Sequence, residues 1–250
     1  MCLVLFALDA HPHQRLVVLA NRDEAYARPA AASAWWSDAP DVFAGRDLQS
    51  GGTWMGVTRT GRWAAVTNVR DPASLRAGAA SRGDLTRAFL TSSAPAADYA
   101  VRVFAERDAY NGFNLLVGDG RETHLVSSRR PSPERLEPGV YGLSNDTLDT
   151  PWPKVTRGKA SLSSLLDEGH VDVEAALGVL SDAEPAPDAE LPETGVGVEW
   201  ERILSPPFVR TEHYGTRTST VLTISRSGRV HWTEQHHPGG PRTTVAFEGA

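Results

Sequence analysis

Residues 1–26 form the stretch MCLVLFALDAHPHQRLVVLANRDEAY, which contains two apolar runs at residues 4–8 and 16–20. Both runs are β-prone, and the polar segment DAHPHQR between them is typical of a loop. We therefore predict that the chain begins with an antiparallel hairpin. Because apolar residues occupy both faces of each strand, we expect the hairpin to lie in a sheet that is covered on both sides.

The remaining predicted strands come as antiparallel pairs, with the helices grouped between them. Strands are predicted at residues 53–58, 62–68, 113–117, 122–127, 139–143, 218–225, 229–234 and 243–247. Helices are predicted at residues 155–166, at 173–180 and in a region from 85 to 104 that Pro95 divides in two. This pattern favours an α+β protein, and two sheets with helices outside each would form a four-layer αββα sandwich. We expect residues 1–250 to form a single domain.

One acidic segment interrupts this pattern near the end of the chain. Residues 182–201 contain seven acidic residues, three prolines and no basic residue. Because the segment also lacks apolar periodicity, we predict that it is a solvated loop.

The composition argues against several classes of partner. The chain of 250 residues carries a net charge of −6, and nucleic acids and anionic membranes need a basic face. No apolar run approaches the ~20 residues that a membrane helix requires. A single cysteine cannot form an internal disulfide, and no convincing secretion signal is present, so we expect a cytoplasmic location. The oligomeric state is not indicated by the sequence.

The only cysteine, Cys2, follows the initiator methionine directly. If Leu8 pairs with Leu16 in the hairpin, Cys2 lies opposite Arg22, and the two side chains share a face. A neighbouring guanidinium favours the thiolate over the thiol, whose ordinary pKa is ~8.5. Removal of Met1 would expose the α-amine of Cys2, with a pKa of ~8, as a general base within the same residue.

Two alternatives for this arrangement stay open. Cys2 by itself is also typical of a small apolar residue at the start of a strand. A register slip by one residue would not be opposed by the pattern, because both faces of the hairpin are apolar. In the register given above, Glu24 shares the face of Cys2 and Arg22, whereas Asp23 points away.

Three further polar residues stand at the ends of predicted strands. Asn68 follows the run WAAVT and Asn145 follows VYGLS, so either amide is a candidate donor to an oxyanion. Both asparagines are equally typical of turns and caps. Arg217 enters a late strand and is a candidate donor or an ordinary exposed strand residue.

The histidines do not indicate a metal centre. His11 and His13 flank Pro12, and three more, His231, His236 and His237, lie near the C-terminus. None of these has a recognised zinc spacing, so we predict no metal site and no cofactor for an enzyme built on these residues.

Five ordered motifs resemble those of the NRDE family, also called the transport and Golgi organisation 2 family. They are MCL at the N-terminus, NRDE at residues 21–24, SGGTWMGV at 50–57, TNVRDP at 67–72 and GLSNDTLDTPWPK at 142–154. The stretch YGTRTSTVLTI extends the similarity to residue 224.

This resemblance implies an N-terminal-nucleophile hydrolase fold. By relation to the cholylglycine hydrolase and penicillin V acylase branch, it implies that Cys2 is the nucleophile and that Arg22 lies beside it. It also implies that Asn68 and Asn145 lie near the oxyanion.

The chain departs from that branch at the acidic position. In the branch, the site aspartate follows the arginine by three positions, whereas here Asp23 is adjacent and the third position is Ala25. Glu24 is the better stereochemical candidate if the strand is straight.

The sequence therefore leaves two functions. The first is a cysteine amidohydrolase or acyltransferase that acts on a C–N bond of a small amide or acyl compound. The second is a non-catalytic carrier of haem or lipid on the same fold, because the family has been associated with Golgi organisation, acyl-lipid metabolism and haem mobilisation.

Overall fold

The computed structural model describes residues 2–249, and this range contains thirteen strands and five α-helices. The strands are β1 (Cys2–Leu8), β2 (Gln14–Ala25), β3 (Ala30–Trp35), β4 (Val42–Asp47), β5 (Met55–Thr58), β6 (Trp63–Asn68), β7 (Phe113–Gly118), β8 (Thr123–Ser127), β9 (Glu134–Leu136), β10 (Gly139–Leu143), β11 (Tyr214–Ser225), β12 (Arg229–His236) and β13 (Arg242–Glu248). The helices are α1 (Arg82–Leu90), α2 (Ala96–Ala105), α3 (Pro153–Asp167), α4 (Val173–Leu180) and α5 (Val198–Ile203).

The strands form two antiparallel sheets. The first has the order β10-β1-β2-β11-β12-β13, and the second runs from β3 to β9 in chain order. The N-terminal hairpin thus lies inside the first sheet, with β10 on one side and β11 on the other. This placement explains why its strands are apolar on both faces.

The two sheets pack face to face over the main core. Alternate residues of β1, such as Val4 and Phe6, point into this core, where they meet buried side chains of the second sheet that include Met55 and Leu116. Each such side chain contributes about 1.5–3 kcal/mol when it is fully buried.

Helices cover the outer face of each sheet. On the first sheet, Leu162 of α3 and Leu177 of α4 pack against Leu5 and Leu19. On the second sheet, α1 and α2 pack through residues that include Phe89. The layers therefore follow the order α, β, β, α, which confirms the predicted α+β four-layer sandwich.

Three strands, β3, β4 and β9, were not predicted from the sequence. The segment of β3, AAASAW, is alanine-rich and mostly exposed at the edge of its sheet. It therefore lacks the alternation of buried and exposed side chains by which a strand is recognised.

The predicted solvated loop at residues 182–201 is wrong at its C-terminal end. Helix α5 begins at Val198, and Glu201 within it is buried. A buried carboxylate requires a cationic partner, which for Glu201 is Arg70. Because Arg70 is distant in the sequence, the composition of residues 182–201 did not indicate that this end of the segment is buried.

No helix within residues 2–249 combines the length and the apolar character needed to cross a bilayer.

We predict that Gly52→Ala destabilises the fold. A Cβ atom at Gly52 would lie 2.6 Å from the carbonyl carbon of Gly83, at the start of α1. This contact is a steric clash with backbone, which cannot be relieved by rotation of a side chain. We expect a loss on the order of 1–3 kcal/mol in the free energy of unfolding, measured in urea. Gly178→Ala in α4 is the matched control: its Cβ would meet nothing within 4 Å, and helix propensity favours alanine by about 1 kcal/mol. Equal stability of the Gly52 variant and the wild type would contradict the prediction.

Candidate functional site

A cavity of about 360 Å³ opens at one end of the sandwich. Residues from both sheets line it, together with the first turn of α1. Cys2 lies in its wall, and so do Arg22 and Glu24. The edge of the sheets therefore brings the N-terminal thiol to a space large enough for a small molecule.

The predicted hairpin register is confirmed. Cys2 pairs with Arg22 across β1 and β2, and β2 stays extended as far as Ala25. Nη2 of Arg22 lies 3.6 Å from Oε2 of Glu24, so the guanidinium and the carboxylate share the face that carries the thiol.

Burial and a neighbouring charge act on the thiol of Cys2 in opposite directions. Its side chain is only 7% exposed, and burial raises the pKa of the thiol, while Arg22 acts in the opposite direction. Burial therefore opposes the thiolate that the guanidinium of Arg22 favours. A base must remove the proton before the sulfur can act as a nucleophile.

Asp23 occupies the opposite face of β2, as its place in the alternation predicts. It is 1% exposed, and its Oδ1 accepts a hydrogen bond of 2.7 Å from Oγ1 of Thr216. Burial raises the pKa of Asp23, and Lys154 is one of the positive groups that act to lower it. Asp23 is thus on the face of β2 opposite to Arg22, and it also lines the cavity.

Arg217 reaches the cavity because of a β-bulge. The pairing of β11 with β2 shifts between Thr216 and Thr218, which leaves Arg217 as the extra residue. A bulge of this kind re-aims a side chain and is frequent beside active sites. The Nη1 atom of Arg217 donates to the carbonyl oxygens of Ala25 (2.9 Å), Tyr26 (3.2 Å) and Arg28 (3.0 Å). Arg217 therefore holds the turn after β2 as well as lining the cavity.

The two candidate asparagines have different positions. Asn68, at the end of β6, lines the cavity. Asn145 is fully buried, and its Nδ2 donates a 2.9 Å hydrogen bond to the backbone oxygen of Asn68. The neighbouring Ser144 donates from Oγ to the carbonyl of Cys2 at 3.0 Å. Through these two hydrogen bonds, the loop after β10 connects the start of β1 to the end of β6 and restrains the backbone of Asn68.

A buried ion pair next to the site was missed from the sequence. Nη1 of Arg70 lies 2.5 Å from Oε2 of Glu201, and both side chains are 3% exposed. The guanidinium also stacks 4.5 Å above the ring of Trp152, and Thr194 donates to the glutamate from its backbone N and its hydroxyl. This pair ties the end of β6 to α5.

Besides Arg70, a second buried cation, Lys154, was not predicted from the sequence. It lies in the first turn of α3 and is 1% exposed. Its Nζ has no hydrogen-bond partner within residues 2–249. Burial and the positive charge of Arg70 lower the pKa of Lys154 to about 8, while Asp23 and Cys2 act to raise it.

Two more residues of the cavity come from β12. Oε1 of Glu234 accepts from the backbone N of Ser33 at 2.9 Å and lies 2.8 Å from Nε2 of His236. The sequence offered no signal for either residue, because their place depends on how the first sheet faces β3. In the described part of the chain, no group of three or more His, Cys, Asp or Glu side chains is arranged to hold a metal ion.

Two antiparallel sheets stacked between helical layers are the arrangement of the N-terminal-nucleophile hydrolase fold, which this chain shares with solved structures. A solved structure of similar fold is the C2A mutant of the conjugated bile acid hydrolase from Clostridium perfringens, with a TM-score of 0.51 and 9% identity over 98% of this chain and 92% of that chain. At this identity the similarity shows the fold alone.

The chain belongs to the Transport and Golgi organisation 2 family, whose sequence model matches residues 1–238. The "Transport and Golgi organization protein 2 homolog" of Bos taurus is 36% identical over 97% of this chain and 95% of its own length. The human homolog of the same name is 34% identical over 94% of this chain and 92% of its own length. The family resemblance stated from the motifs is thereby confirmed.

We predict that Lys154 gives stability a specific pH dependence. Its pKa falls from ~10.4 in the unfolded chain to about 8 in the fold, so only the unfolded state keeps the proton between these values. Its destabilising effect is therefore full below about pH 8 and is relieved as the pH rises towards ~10.4. In urea unfolding, the stability of the wild type relative to Lys154→Met should rise by on the order of 2 kcal/mol between pH 7 and pH 10. Parallel pH curves for the two proteins would show that Lys154 is not perturbed.

We predict that Glu201→Gln is strongly destabilising. The change leaves the guanidinium of Arg70 buried without its carboxylate, and breaking such a pair typically costs about 3–5 kcal/mol. Glu199→Gln is the matched control, because Glu199 is an exposed residue of the same helix. Thermal and urea unfolding should separate the two variants clearly, and similar losses in both would argue against a structural role for the pair.

Proposed function

We propose that this chain is an N-terminal-cysteine amidohydrolase or acyltransferase that acts on a small amide or acyl compound in the cytoplasm. The observation that carries the proposal is the position of Cys2, the only thiol of the chain, in the wall of a cavity of about 360 Å³ and opposite Arg22. The bile acid hydrolase of similar fold was solved as its C2A mutant, so it too has a cysteine at its second position.

The first half of the reaction forms a thioester. Once Met1 is removed, the α-amine of Cys2 accepts the thiol proton, which burial otherwise retains on the sulfur. The sulfur attacks the carbonyl carbon, an S–C bond forms, and the carbonyl electrons move to the oxygen. As the C–N bond breaks, the ammonium returns its proton to the leaving nitrogen.

The second half releases the acyl group. Water attacks the thioester in a hydrolase, and another nucleophile attacks it in an acyltransferase. The α-amine takes the proton of the attacking group, the S–C bond breaks, and the sulfur recovers a proton. The same amine thus acts as base and acid in both halves.

The surrounding residues have separate roles in this proposal. Arg22 favours negative charge on the sulfur. Asn68, which lines the cavity, is the candidate donor to the oxyanion, and such a donor contributes about 3–4 kcal/mol. Asn145 positions Asn68 through its hydrogen bond to the backbone oxygen of Asn68. The carboxylates Asp23 and Glu24 raise the pKa of the thiol, and by the same sign of charge they favour the protonated amine.

The non-catalytic carrier of haem or lipid stays a prediction. No contact described for residues 2–249 specifically favours it, and a haem titration followed by absorbance would test it directly.

The enzyme proposal predicts a free and reactive N-terminal cysteine. A cyanobenzothiazole probe condenses only with a cysteine that has both its thiol and its α-amine free. Intact mass spectrometry of the purified native protein should show loss of Met1 and addition of one probe, and Cys2→Ala should show no addition. A chain that keeps Met1 and never reacts would contradict the mechanism.

A second measurement separates labelling from catalysis. Turnover of a short-chain nitroanilide, such as 4-nitrobutyranilide, should be lost in Cys2→Ala and reduced roughly 100-fold in kcat by Asn68→Ala, because the oxyanion loses a donor. Labelling without turnover of any amide or acyl ester would leave a reactive thiol but not this enzyme.

A further inference from the structure

Arginines dominate the polar wall of the cavity around Cys2. In the described part of the chain, five of them line it: Arg22, Arg28, Arg46, Arg82 and Arg217. A guanidinium has five N–H donors. An arginine whose donors are mostly not used by protein acceptors is therefore the one best able to bind a ligand.

Three of the five donate to protein acceptors, but to different extents. Arg28 donates to Asp47 and Ser50, Arg46 to Asp38 and Gly51, and Arg217 to the carbonyls after β2. Arg28 and Arg46 use two or three of their nitrogens and offer few free donors, whereas Arg217 uses only Nη1, which is held by the turn after β2. Arg22 lies 3.6 Å from the carboxylate of Glu24.

Arg82 differs from them. It stands at the first position of α1, and within residues 2–249 its one hydrogen bond runs from Nη1 to the carbonyl of Gly112 at 3.1 Å. No carboxylate of these residues forms an ion pair with it. Arg82 is half-buried and lines the same cavity as Cys2. Burial lowers the pKa of Arg82, while Cys2 and Glu24 act across space to raise it.

The nearby carboxylates are occupied elsewhere. Glu24 lies between two other cations, 3.6 Å from Arg22 and 3.9 Å from Arg28, and Asp47 lies 2.7 Å from Arg28. The charge of Arg82 is therefore not neutralised by a direct partner. A partly desolvated cation that faces a cavity without a counterion attracts an anion from solution.

The rest of the wall limits the size and character of such an anion. Trp54, Val66 and Ala80 supply apolar surface in the same cavity. A ligand that fits all of these features carries a short apolar part and one anionic group.

We propose that Arg82 is the anchor for an anionic group of the substrate, so that the substrate is a small amide or acyl compound bearing a carboxylate or a similar oxyanion. The assignment of this anion to the substrate rests on the proposed function, but the anion site itself does not. The rival role for Arg82 is to stabilise the Cys2 thiolate alone. The two roles differ in what they discriminate, because stabilising the thiolate speeds every reaction of the sulfur, whereas an anion anchor speeds only those of anionic reagents.

Alkylation of the single thiol tests this difference without any knowledge of the substrate. Iodoacetate and iodoacetamide react in the same way, since the thiolate displaces iodide and forms an S–CH₂ bond, but only iodoacetate carries a carboxylate. With the wild-type protein at pH 8.5, the ratio of the iodoacetate rate to the iodoacetamide rate should exceed the ratio for N-acetylcysteine by roughly tenfold. Because Cys2 is the only cysteine, mass spectrometry reports this site alone.

Variants of two arginines in α1 test whether Arg82 is the source of the preference for iodoacetate. In Arg82→Gln the ratio should fall to that of N-acetylcysteine, and Arg82→Lys should keep much of it. Arg87→Gln removes the same charge one turn further along α1, where Arg87 pairs with Asp84 away from the cavity, and it should leave the ratio unchanged. Unfolding curves establish that each variant is folded.

Several outcomes would overturn the anchor. An equal fall in both rates in Arg82→Gln, with the ratio preserved, would show that Arg82 acts only on the sulfur. A wild-type ratio equal to that of N-acetylcysteine, or no alkylation by either reagent, would show that no anion site is accessible beside Cys2. If the ratio behaves as proposed but no amide or acyl ester turns over, the anion site stands and the proposed enzyme fails.

Discussion

The pairing of β1 with β2 is the constraint on which the site depends. It places Cys2 opposite Arg22 at the end of a hairpin whose strands are buried on both faces. A slip of this register would move Val4 and Phe6 out of the core between the sheets and would move the thiol to the other face. Because both faces of β1 are packed in apolar cores, the fit of side chains in both cores, together with the backbone pairing to β2 and β10, holds the sulfur in the cavity.

Charge is concentrated on both faces of this hairpin end. Arg22 and Glu24 face the cavity, and Asp23, which also borders it, is buried on the other face of β2 with Lys154 and the ion pair of Arg70. Burying charged groups costs free energy unless they are paired, so this cluster is not explained by stability alone. Its position directly behind the thiol is consistent with a function in setting the electrostatic environment of residue 2.

Burial and charge act against each other at Cys2. The low exposure that protects the sulfur from solvent also raises its pKa, and one neighbouring guanidinium does not reverse this. The arrangement suits a nucleophile that is deprotonated only when a base and a substrate are in place.

The sequence by itself determined the hairpin, the α+β layers and the motifs that surround Cys2, because these follow from local apolar patterns and short loops. The register of the hairpin stayed open in the sequence, because both of its faces are apolar. Tertiary structure alone decided the rest of the site. Arg217 enters through a bulge between β2 and β11, Arg82 through the docking of α1, and Glu201 through a helix inside an acidic segment. Each of these positions depends on contacts between residues that are distant in the chain, and neither composition nor periodicity records such contacts.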